Sequence, residues 1–209
     1  MLNKLVLLCA FAAAAAAQNW EVGAIGGYGF SPNMHVKTGT ASADTGFRPG
    51  GVVGVFGGED SYRYWGGEAR YLYRFSDLKL ASGNADVHFG GHTHIIEGNF
   101  MAHFRPRESR VRPFFAFGGG IKVIQGTGRE SAAQPLGRFA ALTATREMLP
   151  VAGVGFGVKV NLRQHLRLRV EGRDYISSNP ERVIAPAPGA SLSGILHDAL
   201  GLAALSYTF

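Results

Sequence analysis

The sequence predicts an all-β fold, an eight-stranded antiparallel up-and-down transmembrane β-barrel, and three observations support this prediction. Eight segments alternate apolar residues with polar residues or glycine at a period of two, which is typical of strands with two different faces. Short polar turns and long loops alternate between these segments, as they do in outer-membrane barrels. The last residue is Phe209, and apolar residues precede it at intervals of two.

The first residues predict export from the cytoplasm. Lys4 precedes an apolar run over residues 5–17, and the run ends in the small residues Ala15, Ala16 and Ala17. These are the parts of a secretory signal peptide. The run is shorter than the roughly 20 apolar residues that a membrane-spanning helix needs. We therefore predict a cleaved signal peptide over residues 1–17 and one β-barrel domain over residues 18–209.

Cysteine and charge narrow the possible functions. The single cysteine, Cys9, lies within the predicted signal peptide, so the mature chain would have no disulfide and no thiol ligand for a metal. The formal net charge is +6, or +5 without Lys4. A basic exported protein is more consistent with an anionic lipid surface than with nucleic acid, although arginines inside a barrel would give the same net charge.

The eight strands and their connections follow from the alternation. We expect the strands over residues 20–30, 50–57, 63–75, 92–104, 112–125, 150–161, 165–175 and 197–209. The short turns would cover residues 58–62, 105–111 and 161–164, and the long loops residues 31–47, 76–91, 126–149 and 178–196. Within the loops, residues 138–149 are compatible with a helical turn or two. The prolines of residues 179–193 predict an irregular segment.

Charged residues share one face of several strands, and the position of that face decides the type of barrel. Leu166, Leu168 and Val170 alternate with Arg167 and Arg169, the sharpest case in the chain. In an outer-membrane barrel the apolar face is outside and the lumen is polar, whereas a soluble barrel has the opposite arrangement. Eight strands leave an interior that side chains just fill, and buried charge requires pairing. We predict a structural network of paired charges in the lumen, made of Glu68, Arg70, Arg74, Glu97, Lys122, Arg167, Arg169, Glu171 and Arg173.

The end of the chain favours the membrane alternative. Its alternating apolar stripe consists of Gly201, Ala203, Leu205, Tyr207 and Phe209. This stripe resembles the C-terminal recognition signal of outer-membrane barrels, which implies the barrel-assembly machinery as a partner. Aromatic residues elsewhere would add to girdles at the membrane interfaces.

Three segments carry a resemblance to a known family: residues 113–122, 168–175 and 206–209. With these segments the chain resembles the OmpA-like/OmpX-like family of eight-stranded outer-membrane β-barrels, over most of the predicted mature chain. The resemblance implies a bacterial cell outer-membrane location and contact with outer-membrane lipid. It implies no single activity, because the family includes anchors, adhesins and proteins of no known activity.

The sequence contains only weak candidates for catalytic, cofactor-binding or metal-binding sites. The glycines of residues 23–29 lack the following helix that a dinucleotide loop needs. His88, His92 and His94 are metal candidates, but titrating histidines at the barrel rim are the better interpretation. Ser206 and His197 lie too far apart along one strand to act together, with Asp198, as a catalytic triad. We therefore predict no catalytic residue, no cofactor and no metal site.

The function that follows is a monomeric structural or surface-interaction protein without enzymatic chemistry, acting through its extracellular loops and binding no nucleic acid. Three alternatives remain open. They are a narrow porin-like channel, a lipid A-modifying enzyme and a soluble secreted barrel of the lipocalin type.

Overall fold

The computed structural model describes residues 20–60, 62–131 and 133–209, so the predicted signal peptide lies outside the described residues. The described residues form fifteen strands. In chain order they are β1 (Trp20–Phe30), β2 (Met34–Thr38), β3 (Ala41–Phe47), β4 (Gly50–Glu59), β5 (Trp65–Phe75), β6 (Leu78–Ser82), β7 (Ala85–Phe89), β8 (Gly91–His103), β9 (Val111–Gly126), β10 (Ala140–Leu142), β11 (Arg146–Asn161), β12 (Leu166–Ser177), β13 (Ile184–Pro186), β14 (Ala190–Ser193) and β15 (Leu196–Thr208).

Eight of these strands close into an antiparallel barrel, which confirms the predicted fold. Their order around the barrel is β1, β15, β12, β11, β9, β8, β5 and β4, and β4 returns to β1. The first and last strands pair in register, with Val22 opposite Tyr207. The largest difference from the predicted bounds is in β11, which begins at Arg146 because it pairs with β9 as far as Gln125. None of the described residues forms a helix long and apolar enough to cross a membrane.

The apolar face of the barrel lies outside and the charged face lies inside. On β12, Val170 is 58% exposed, whereas Arg169 is completely buried. On β15, all the residues of the C-terminal stripe that belong to the strand point outwards, and Asp198 and Ser206 point inwards. A strand with this distribution fits a hydrocarbon surround and a polar interior.

The long loops fold together at one end of the barrel into a body that we call the cap, made of residues 31–49, 76–90, 127–131, 133–145 and 178–195. It holds a five-stranded sheet in the order β14, β2, β3, β6, β7, and the two-stranded sheet β10–β13. The predicted irregular segment was therefore wrong at β13 and β14. The predicted helical turns were wrong as well, because β10 and the start of β11 occupy that region.

The cap forms because its strands have an apolar face of their own. Met34 and Val36 alternate with His35 and Lys37, and the apolar pair is buried. One cluster joins the two sheets of the cap to the mouth of the barrel. It consists of Met34, Val36, Ala43, Phe47, Leu78, Leu80, Phe89, Ile124, Leu136, Phe139, Ala140, Leu142, Leu149, Val183, Ile184 and Leu196.

Candidate functional site

The described lumen contains a network of six carboxylates and eight lysine and arginine side chains, all of them buried, beside an apolar cluster that includes Phe56 and Leu72. The carboxylates are Glu21, Asp60, Glu68, Glu97, Glu171 and Asp198. The cations are Arg70, Arg74, Arg112, Lys122, Lys159, Arg167, Arg169 and Arg173. All nine residues of the predicted network lie among them. The prediction named too few members, and the structure groups the charges into three levels along the barrel.

The middle level crosses the lumen from wall to wall. Arg70 on β5 donates to Glu171 on β12 over 2.6 Å, and Arg169 on β12 donates to Glu68 on β5 over 2.5 Å. β5 and β12 are four places apart in a ring of eight strands, so they are opposite walls. Arg70 also donates to Glu68 on its own strand over 2.7 Å. These pairs tie the two walls together through the barrel axis.

A second set of contacts at this level involves Glu97 on β8. Arg173 donates to Glu97 over 3.2 Å and to Asn99 over 2.7 Å, and the Tyr175 hydroxyl also donates to Glu97. The guanidinium of Arg169 stacks over the Phe56 ring, 4.0 Å from its centre. The cation–π contact and the ion pairs together compensate part of the cost of burying these charges.

The level nearest the short turns is built on Glu21 and Asp60. Lys159 donates to Glu21 over 2.8 Å, while Arg112 and Arg167 donate to Asp60 over 2.5 and 2.8 Å. Burial would raise the pKa of Asp60, but the positive charges of Lys159 and Arg112 outweigh it and hold that pKa below its ordinary value. The sequence prediction missed Asp60 because it lies in a turn, beyond the alternation.

The level nearest the cap is built on Asp198. Arg74 and Lys122 donate to its carboxylate over 2.5 and 2.6 Å, and the Ser31 hydroxyl donates to it as well. Asp198 and Lys159 were missed as network members, although their positions in the alternation place both on the inward face of their strands. That signal was available in the sequence.

Two of the histidine candidates, His92 and His94, lie side by side with ring centres 5.0 Å apart, whereas the third lies elsewhere. His92 and His94 point outwards, where His92 stacks on Tyr73 with ring centres 5.3 Å apart, and His94 Nδ1 lies 2.7 Å from the Tyr71 hydroxyl. His88 lies in the cap on β7. No group of three or more histidine, cysteine or acidic residues in the described parts of the chain is arranged to hold a metal ion.

The structure also separates Ser206, His197 and Asp198. The Ser206 hydroxyl donates to Glu21 in the lumen over 2.7 Å. His197 points outwards, and its Nδ1 lies 2.8 Å from the carboxylate of Asp174. Asp198 points inwards, into the network described above. These three side chains therefore cannot form a triad, because His197 lies on the face of β15 opposite to Ser206 and Asp198.

The C-terminal stripe lies along the membrane face of the last barrel strand. Gly201, Ala203, Leu205 and Tyr207 all point outwards from β15, and Phe209 follows the strand and is exposed. The ring centres of Tyr207 and Phe209 are 5.2 Å apart. The role of this stripe as an assembly signal stays a prediction.

Comparison with known proteins agrees with this architecture. The family model described as "Outer membrane protein beta-barrel domain" matches residues 4–183. The solved structure of neisserial surface protein A (NspA) is similar with a TM-score of 0.57 at 10% identity, over 91% of this chain and 97% of that one. The outer membrane protein OprG from Pseudomonas aeruginosa has a TM-score of 0.54 at 9% identity, over 92% of this chain and 96% of that one. No curated protein matches the sequence.

The similarity to solved structures shows the fold, and the match to the family model shows the family. The matched family model and the shared fold confirm the resemblance predicted from the sequence. The chain belongs to the outer membrane protein β-barrel domain family, whose members reside in the bacterial outer membrane.

Proposed function

We propose that the protein is a non-enzymatic anchor in the outer membrane that presents its cap to a partner outside the cell. The observation that carries this proposal is that four loops, distant in sequence, fold on one apolar core. Loops held on a rigid scaffold are the usual place for binding residues. An ordered surface also loses less conformational entropy on binding than a mobile loop does.

The face of the five-stranded sheet that points away from this core is polar and exposed. It carries two histidine–carboxylate contacts, His35 with Asp44 at 2.7 Å and His88 with Asp86 at 3.2 Å. Other polar residues on this face are Lys37, Ser42, Lys79, Ser191 and Ser193. A broad surface of mixed hydrogen-bonding groups suits a protein or glycan partner better than an apolar small molecule.

The alternative function is a narrow channel, and the side chains that fill the lumen argue against it. Ion pairs from opposite walls cross the axis, and above them the apolar core of the cap covers the barrel mouth. An ion would have to break charge-assisted hydrogen bonds and then pass an apolar layer, and both steps are costly.

Support for a non-enzymatic role comes from the hydroxyl groups. Within the described residues, Ser31 bonds to a carboxylate, Ser76 to another hydroxyl and Ser193 to a carbonyl, and the buried Ser177 hydroxyl has no partner, so none of these four bonds to a histidine ring. A serine nucleophile needs such a base within hydrogen-bond reach. We propose further that the protein is a monomer, because pairing of β1 with β15 leaves the barrel without an open edge.

The function is tested with purified protein in liposomes and in planar bilayers. Wild-type proteoliposomes are screened on arrays of extracellular proteins and glycans beside the double variant Ser42→Arg/Ser191→Arg, which adds bulk to the exposed face only. We expect at least one ligand that binds wild type and is lost in the variant, and no single-channel current. Steady current, or an array on which wild type binds nothing, would contradict the proposal.

A further inference from the structure

A groove lies on the membrane face of the barrel, between the aromatic residues of β1 and those of β11. Its cavity measures about 570 Å³. Tyr28 and Phe30 line one side and Phe156 the other, while Gly172 and Gly201 line the floor. The groove opens on the outer face of the barrel, so neither the ion-pair network inside the barrel nor the proposed partner surface of the cap accounts for it.

The floor glycines are not required by packing within the barrel. A Cβ on the inward-facing Gly27 would lie 2.2 Å from the Gly201 carbonyl oxygen, so only glycine fits there. A Cβ on Gly201 would have no atom within 4 Å, and on Gly172 the first contact would be Phe156 at 4.0 Å. Glycine weakens a strand interior, and it is expected where a ligand or another backbone approaches closely. The open floor is therefore available to something outside the protein.

One end of the groove is polar. Asp174 lines this end and faces outwards, where its Oδ2 lies 2.8 Å from His197 Nδ1. Its other oxygen, Oδ1, is buried and makes no hydrogen bond within the described residues. Asp174 lies three residues before the end of β12, on the cap side of the barrel. A buried acceptor without a donor costs free energy that a ligand donor would recover.

We propose that this groove binds one hydrocarbon chain of an outer-leaflet lipid, and that Asp174 accepts a hydrogen bond from an amide or hydroxyl group at the head of that chain. The membrane location supplies the hydrocarbon, and the aromatic walls match its shape. The polarity of the groove is that of an amphiphile, apolar along its length and polar at the end towards the cap. A second copy of this barrel would bring apolar side chains and leave Asp174 without a donor.

The test uses two single-chain probes that differ at the head. N-Myristoylethanolamine carries an amide and a hydroxyl donor, whereas methyl myristate has the same acyl chain and no donor. Binding to the purified full-length barrel in detergent is measured by native mass spectrometry. We expect wild type to bind N-myristoylethanolamine at least about tenfold more tightly than methyl myristate, which is the effect of roughly one hydrogen bond.

The variants distinguish binding of the acyl chain from recognition of the polar head group. Gly201→Leu fills the floor and should abolish binding of both probes, with Gly172→Leu as a second variant in case one fails to fold. Asp174→Leu should remove the preference for N-myristoylethanolamine and leave methyl myristate bound. The control is Gly98→Leu, because Gly98 also has no atom within 4 Å of a built Cβ and lies on β8, the wall opposite β15.

Three results would overturn the proposal. They are failure of wild type to bind either probe, unchanged binding in both filled-groove variants, and equal loss in Gly98→Leu. A wild-type dimer that Gly201→Leu converts to a monomer would also overturn it and would identify the groove as a contact between copies. Heat-modifiable migration of each variant checks that the barrel has folded.

Discussion

The strands of the barrel and of the cap show the same period-two alternation, but the apolar residues face outwards in the barrel and inwards in the cap. In the barrel the outward Val170 is 58% exposed and the inward Arg169 is fully buried, whereas in the cap Val36 is fully buried and its neighbour Lys37 is exposed. The surroundings explain the difference, because hydrocarbon surrounds the barrel and water surrounds the cap. Alternation therefore identifies the strands, and the position in the membrane decides which set of residues forms the interior.

The change from one interior to the other is abrupt. On β9, Lys122 belongs to the charged network, and Ile124, the next inward residue, belongs to the apolar core of the cap. On β15, Asp198 and Leu196 repeat this pattern in the opposite chain direction. Both strands change within two residues, at the mouth of the barrel. The charged network of the barrel and the apolar core of the cap thus adjoin on these two strands.

The largest expected effect comes from removing a charge from the lumen. Arg169→Met leaves Glu68 and Glu171 buried with one fewer cation, and breaking such a buried pair costs about 3–5 kcal/mol. The free energy of unfolding in lipid bilayers, from urea titration, measures this loss. The double variant Glu68→Met/Arg169→Met should recover much of it, because removal of both charges leaves Arg70 paired with Glu171. Equal stability of wild type and Arg169→Met would contradict the paired lumen.

A somewhat smaller effect is expected in the cap. Leu80→Ala removes a fully buried side chain from its core and should cost about 3 kcal/mol. We expect this loss to open the cap while the barrel stays folded, so limited proteolysis should cleave cap loops and leave heat-modifiable migration unchanged. Loss of both properties together would mean that the cap and the barrel unfold as one unit.

Substitutions on the outer faces provide the next comparison. Val170→Arg places a charge against hydrocarbon and should cost about 2–4 kcal/mol near the bilayer midplane. The matched change in the cap, Ser42→Arg, meets water and should stay within about 0.5 kcal/mol of wild type. Urea titration in bilayers measures both. Similar costs at the two positions would show that the two faces share one environment.

The smallest expected effect is at the exposed lysine of the cap. Lys37→Ala should leave the free energy of unfolding unchanged within about 0.5 kcal/mol, since surface substitutions rarely exceed this value. A loss comparable to that of Leu80→Ala would place Lys37 in a buried contact and contradict the orientation of β2.

The barrel was predictable from sequence because its signal is local. Alternation in a single strand fixes both its existence and its faces, and so it assigned Arg167 and Glu171 to the same interior. The pairing partners were harder to predict, because contacts such as Arg70 with Glu171 depend on which strands lie opposite each other in the closed barrel. Asp60 carries no alternation signal at all, since it lies in a turn.

The cap was not predicted for a different reason. Its sheet joins segments far apart in the chain, as where Ala190 of β14 pairs with Thr38 of β2. The prolines of residues 179–193 indicated an irregular loop, yet Pro186 ends the short strand β13 instead of interrupting a longer one. Alternation of Leu78, Leu80 and their polar neighbours was a readable sign of these strands, but it does not reveal their partners.

The most direct test of the inverted interiors is spin labelling of single-cysteine variants in bilayers, at positions 168–171 on β12 and 34–37 on β2. We predict that collisions with oxygen, which concentrates in hydrocarbon, peak at positions 168 and 170. Collisions with a water-soluble relaxation agent should peak at positions 35 and 37. Oxygen maxima at 169 and 171 would place the arginine face against lipid and contradict the account.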